Sequence, residues 1–403
     1  MLAEVTTSFQ HNLAAHRAVI SQIFTTTEQK RNTPRNVIFF VVDDKYIDVA
    51  IANAKRLRKI SGNADVIIFY EGTRDIKSDV ARVENGVLRK SLLTETPESL
   101  QWPKIVYYRM FAPALLAGQY DKALYLDADV ALANDVHEIF SLDLAGYPVA
   151  AVHDTGVVTR SDTSQYNQND RLSDLGLEPT RYFNSGVMLI DVDEWSSIDF
   201  NERLRDFIAE RGGYMHCWDQ DFLNYLFKDN WLEISHRWNF QYTLFGRGIE
   251  SVIQPSIYHY THTIKPWYDT EAVYDPSHHN YFASILRNAG YDSVASSYSG
   301  QISPLNRLRL WFRQFKLESV LFRSRKNRKM NEWKAKNRQY LEFIALKINN
   351  RSYADVEAGI TTLKPFNENL LFSDVRLENG RFKSSLSTAA SSAFLEVSSD
   401  VLH

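Results

Sequence analysis

The 403-residue sequence predicts an α/β fold with a mostly parallel sheet flanked by helices. Two observations carry that expectation. Short, wholly apolar, β-branched runs recur from residue 37 onward, as strands covered on both faces require. Segments with helical spacing of apolar residues lie between them, and such alternation marks parallel strands joined by crossover helices. In sheets of this kind ligands gather beyond the carboxyl ends of the strands.

The run VIFFVV (Val37–Val42) reads as the first strand. Residues 48–59, with Val49, Ala52, Ala54 and Leu57 among charged neighbours, read as a helix, and DVIIFYEG repeats the strand signal. VYYRMFAPALL reads as a helix and KALYLDADVALA as another buried strand. VAAVHD, RYFNSGVMLIDVDEW and the helix DFLNYLF continue the pattern to about Trp267. The predicted division is therefore a helical extension over 1–36, ending in a polar linker at Pro34; an α/β domain over 37–295; a basic amphipathic helical segment over 296–350; and a tail over 351–403, of low complexity after Ser384.

Hydrophobic residues make up 44% and charged residues 24%, which excludes a disordered or membrane-embedded chain. The 13% aromatic content fits core packing first, and platforms for sugar or base rings second. The single cysteine, Cys217, excludes a disulfide framework and a cysteine-based zinc site, and suits a reducing, cytoplasmic compartment. The first 24 residues intersperse Glu4, Gln10, His11, Asn12 and Arg17, so a signal-peptide core is not expected.

The Asp127-Ala128-Asp129 triplet directly follows the apolar strand ALYL. Two carboxylates at such a strand end can address one hard cation, and without one they would repel each other beside a low-dielectric sheet. A solvated turn is the simpler reading of an isolated DxD. Downstream, HYTHTIKPW offers His259 as a third ligand and Lys265 as a point cation for phosphate. A divalent ion on Asp127, Asp129 and His259 could bridge the phosphates of a nucleotide-sugar and stabilise the departing diphosphate.

With these residues the chain resembles glycosyltransferase family 8, which includes bacterial lipopolysaccharide galactosyl- and glucosyltransferases and glycogenin. The resemblance runs from about Val37 to Trp267 and carries six motifs in order. It implies a GT-A, Rossmann-like fold, a UDP-sugar donor, a Mn2+ or Mg2+ ion and a saccharide acceptor. In VVDDKY, Asp43 would lie near the uracil, Tyr46 would stack on it, and Val41 would contact the donor. Arg109 in YYRMF would contact the donor, and YLDADV would supply the metal-binding carboxylates with Ala128 against the donor. FNSGVMLID puts Asn184 beside the donor sugar. In WDQDFLN, Asp219 would bind sugar hydroxyls and Gln220 would lie near the anomeric carbon.

HYTHTIKPW would bring His259 to the metal and Lys265 to the diphosphate. The family usually has Gly three residues after that histidine, where this chain has His262. A β-carbon there restricts φ and crowds the anion, although a protonated imidazole could supply charge. Members retain anomeric configuration, which favours front-face displacement with the departing phosphate oxygen taking the acceptor proton; a covalent intermediate on Asp219 is the alternative. His153 and Asp154, after the strand VAAV, are candidates for acceptor contacts or a satisfied surface pair.

Between residues 301 and 351 there are 14 Lys and Arg against 3 Asp and Glu, although the net charge is only −3. Leu308, Trp311, Phe312, Phe315 and Phe322 share one helical side there, with Arg309, Arg313, Lys316 and Arg323 on another. Such a helix could lie on an anionic bilayer at the inner face of the cytoplasmic membrane, where a lipid-linked acceptor would sit. Packing against the main domain is the simpler alternative. No nucleic-acid module accompanies the charge, so nucleic acid is not an expected partner. The competing readings of the whole chain are an inactive nucleotide-sugar-binding protein and a peripheral membrane scaffold.

Overall fold

In a computed structural model the described residues are 35–62, 64–88, 105–159, 172–212, 215–269, 271, 273–292, 303–319, 323–378 and 381–384. The helix expected over 1–36 lies almost wholly outside them, as do Phe322 and the residues after Ser384. The strands are β1 (Asn36–Val42), β2 (Asp65–Tyr70), β3 (Arg82–Asn85), β4 (Lys122–Leu126), β5 (Val130–Leu132), β6 (Val149–His153), β7 (Phe183–Asp191), β8 (Leu232–Glu233), β9 (Phe240–Gln241), β10 (Ile257–His259), β11 (Val375–Glu378) and β12 (Arg381–Ser384). The longer helices are α1 (Ile47–Ile60), α2 (Ile105–Leu116), α3 (Phe200–Arg211), α4 (Trp218–Phe227), α5 (Pro276–Asn288), α6 (Pro304–Glu318) and α7 (Arg323–Asn349). Described residues up to 130, with 135–153 and 172–234, form one compact unit; 131–134, 154–159 and those from 235 onward form a second.

The first unit is built on a seven-stranded sheet in the order β3-β2-β1-β4-β7-β6-β8. Its pairs are parallel except at β7, which runs against β4 and β6. The sheet is thus α/β, mixed and mostly parallel, as the alternating pattern predicts. Ile38, Phe39 and Phe40 of β1 are fully enclosed, because helices cover both faces of a central parallel strand. Much of the aromatic content is core: Trp195 packs on Phe200 and Phe227 with ring centroids 5.1 and 5.0 Å away. Its Nε1 donates to the Met110 carbonyl of α2 at 2.8 Å, which satisfies the polar end of a buried indole.

In the register of β7, pairing with β6 runs from Val149↔Ile190 to Ala151↔Met188, then slips to Val152↔Asn184. Ser185, Gly186 and Val187 are therefore outside that ladder, while Val187 still pairs with Leu126 on β4. Irregularities of this kind re-aim main-chain groups beside functional sites.

The second unit has a three-stranded sheet in the order β5-β10-β9 and an antiparallel β11–β12 hairpin. Asp355 is fully buried and accepts from Ser235 N, Ser235 Oγ and Trp238 Nε1 at 2.8, 2.6 and 2.9 Å. Three donors offset the cost of enclosing a carboxylate. Tyr340 of α7 is within hydrogen-bond distance of His236 Nε2, at 2.9 Å.

Glu250 is also buried, accepts from Gly246 N at 3.0 Å, and desolvation pushes its carboxyl up to about 7. A folded value above the unfolded one means that the native state keeps the proton longer. The stabilisation is complete below about pH 4.5 and is lost as pH rises to about 7. Glu250→Gln should keep the acceptor and abolish that slope, raising stability at pH 8 by on the order of 1–3 kcal/mol. Urea unfolding of both proteins at pH 5 and pH 8 checks this; parallel pH profiles would refute it.

Candidate active site

Asp127, Ala128 and Asp129 turn away from the carboxyl end of β4, with Ala128 and Asp129 buried. The turn is fixed through its main chain. Asn53 Nδ2 of α1 donates to the carbonyls of Ala128 and Val130, both at 3.0 Å. Asp127 N donates to the Gly186 carbonyl at 2.8 Å, and Asp127 Oδ1 accepts from Tyr125 Oη at 2.5 Å.

Arg109 of α2 links this turn to the acidic motif on α4. Its Nη1 lies 3.0 Å from Asp127 Oδ1 and its Nε 3.2 Å from Asp219 Oδ2. The Nε hydrogen is donated to the Val106 carbonyl at 3.1 Å, so the Asp219 contact is an ion pair rather than a hydrogen bond. The guanidinium also sits over the Tyr125 ring, 4.8 Å from its centroid, an arrangement that adds to cation binding when desolvated. Burial alone would lower the pKa of Arg109, but Asp127 and Asp219 outweigh it and hold it above its ordinary value. Burial pushes the Asp219 carboxyl up to about 6, against the pull of Arg109.

Gln220 is oriented by the slipped segment of β7. Its Oε1 accepts from Ser185 N at 3.0 Å and from Asn184 Nδ2 at 3.3 Å, while Asn184 Oδ1 accepts from Gly186 N at 3.1 Å. Helix α4 is in turn pinned by residues that sequence reasoning missed. Asp221 accepts from His216 N, Cys217 N and Tyr182 Oη at 2.7, 2.8 and 2.5 Å. Asn224 brackets Phe183, accepting from its N at 2.7 Å and donating to its carbonyl at 2.9 Å. Trp218, just before Asp219, has φ +39°, a left-handed conformation that costs a non-glycine residue on the order of 1 kcal/mol or more and that such fastenings hold in place.

The fold thus brings Arg109, Asp127, Asp219, Gln220 and Asn184 into one connected cluster. At the end of β1, Asp43 Oδ1 accepts from Lys45 N at 3.0 Å, and Tyr46 begins α1 with Lys45 Nζ 5.1 Å from its ring centroid; Val41 and Tyr46 are half-buried. His153 is fully enclosed at the end of β6, with Nε2 2.7 Å from the Pro179 carbonyl.

In the second unit Asp154 Oδ1 accepts from Gly156 N at 2.6 Å. His259 ends β10 and is buried, with Nδ1 3.0 Å from Asn239 Oδ1. An amide oxygen can only accept, so Nδ1 carries the proton and Nε2 is the nitrogen able to ligate. His262 Nδ1 accepts from Ile264 N at 3.0 Å. Lys265 Nζ donates to the Tyr260 carbonyl at 3.1 Å.

By donor chemistry Asp127 and Asp129 of the first unit, and His259 of the second, each offer an atom of the kind that suits Mn2+ or Mg2+. Asn239→Ala should weaken manganese binding by about 10- to 100-fold by releasing the ring. Calorimetric titration of the ion checks this, and equal affinities would exclude a role for Asn239.

The family model described as glycosyl transferase family 8 matches residues 8–271. General stress protein A of Bacillus subtilis (strain 168) is 34% identical over 186 residues, 42% of this chain and 61% of that protein. Lipopolysaccharide 1,2-glucosyltransferase of Escherichia coli (strain K12) is 30% identical over 201 residues, 46% of this chain and 57% of that protein. The chain thus matches less than two thirds of the length of these relatives. Among solved structures, an active-site mutant of LgtC aligns with TM-score 0.51 at 19% identity, covering 63% of this chain and 95% of that one, a likeness of fold.

Proposed function

The chain belongs to glycosyltransferase family 8, and from that membership we propose that it is a retaining, metal-dependent hexosyltransferase that moves galactose or glucose from a UDP-sugar to a saccharide acceptor. The observation that carries the proposal is Arg109 held between Asp127 and Asp219, with Gln220 locked onto Ser185 in the same cluster. A cation fixed between two acids is a preorganised device, costing no rearrangement when charge develops.

Asp127, Asp129 and His259 would hold the divalent ion, which when bound supplies Lewis-acid stabilisation to the leaving diphosphate. Val41, Asp43 and Tyr46 would receive the uridine, and Asn184 and Asp219 the hexose hydroxyls. Lys265, with His262 nearby in sequence, would meet the diphosphate. Gln220, whose oxygen is occupied by Ser185 N, would present its amide group to the reacting face of the sugar. Front-face displacement follows: the acceptor hydroxyl attacks as the phosphate leaves, and the phosphate oxygen takes its proton. Asp154 and His153 are the proposed flank for the acceptor, although enclosure of His153 limits it to a supporting part. The acceptor is proposed to be lipid-linked, in lipopolysaccharide or exopolysaccharide synthesis at the inner face of the cytoplasmic membrane.

Release of UDP from a panel of UDP-hexoses with and without manganese tests the proposal. Metal-dependent release from UDP-galactose or UDP-glucose supports it; binding without release would assign the chain as a carrier.

A further inference from the structure

Helix α6 is apolar on two opposite sides. Leu317 is buried and Leu310 half-buried on one of them, and Gln314 Nε2 donates to the Leu377 carbonyl at 3.2 Å. On the other, Leu305, Leu308, Trp311, Phe312 and Phe315 form a stripe about 120° wide at about 100° per residue, each between 50% and 58% exposed. These are five of the seven exposed large hydrophobic side chains among the described residues, a concentration that marks an interaction surface. Trp311 stacks on Phe315 at 5.5 Å and meets Phe312 edge-on at 5.1 Å, so the rings form one block.

Basic residues border the stripe on both edges. By helical position, Arg307 lies along one and Arg309, Arg313 and Lys316 along the other; Glu318 is the only acid in α6. The first turns of α7 add exposed Arg323, Arg325, Arg328 and Lys329.

We infer that this face of α6 docks the protein on an anionic lipid bilayer, with rings and leucines entering the headgroup boundary while the basic groups stay level with the phosphates. The pairing of the two chemistries selects this occupant. A nucleic acid backbone has no use for five adjoining apolar side chains, and a second copy of the same face would bring two rows of positive charge together. No helix among the described residues is long and apolar enough to cross a membrane, so attachment through α6 is interfacial. The inference stands apart from sugar transfer, which UDP release reports separately on the same samples.

The test is co-sedimentation of the full chain with vesicles of phosphatidylcholine alone or mixed with phosphatidylglycerol, at low and high salt. Trp311→Ser/Phe315→Ser and Arg309→Gln/Arg313→Gln alter only exposed side chains, and unchanged thermal midpoints verify their folding. Binding to the phosphatidylglycerol vesicles alone, weakened by salt and by about tenfold or more in each double variant, is the expected result. The inference is overturned by absence of vesicle binding, by equal binding of the variants, by retention on RNA instead, or by a dimer that Trp311→Ser dissociates in the absence of vesicle binding.

Discussion

Asp129→Ala is expected to lower UDP-hexose turnover about a thousandfold and to abolish the manganese-dependent rise in thermal midpoint. The carboxylate is buried at the end of β4. The surrounding turn is held through its main chain by Asn53, so the variant should fold normally while losing one proposed ligand. Rates of UDP release at saturating manganese, with thermal shifts on the same preparation, measure both effects. Full turnover by the variant would remove the metal assignment.

Arg109→Met is expected to cost about 3–5 kcal/mol of stability, the penalty for removing one member of an enclosed ionic group. Its guanidinium is the shared partner of Asp127 and Asp219, and burial already makes the latter reluctant to ionise. Adding Asp219→Asn should restore part of the loss, because groups in one network are not additive. Urea unfolding of the single and double variants decides the matter. A stable Arg109→Met protein would mean that the acids do not depend on it.

The central strands were legible because VIFFVV and ALYL are apolar on both faces, as strands covered on both sides require, and turn or helix signals flank them. The motif residues Arg109, Asp127, Asn184, Asp219 and Gln220 were legible through family resemblance, which names residues but not bonds. What remained hidden is the contact network around them. Asp221 and Asn224 lie in WDQDFLN like any polar helix residues, and their use as fasteners depends on where His216, Tyr182 and Phe183 arrive from outside the helix. Asn239 stands twenty residues before His259 without a spacing that ties them, since their pairing comes from adjacent strands β9 and β10. Elements at 354–384 escaped notice because short strands and single turns have too few residues to show a period.

The slipped pairing at Ser185–Val187 also fixes where the chain can change length. Deleting Gly186 would shift the preceding residues of β7 by one place, turning Asn184 toward the opposite face and withdrawing the Ser185 amide from Gln220. An extra glycine in the exposed turn at Ala145–Gly146, where the backbone already has positive φ, would be absorbed locally. Natural insertions and deletions should accordingly collect at such turns and avoid this stretch of β7, where losing one residue is worse than replacing it.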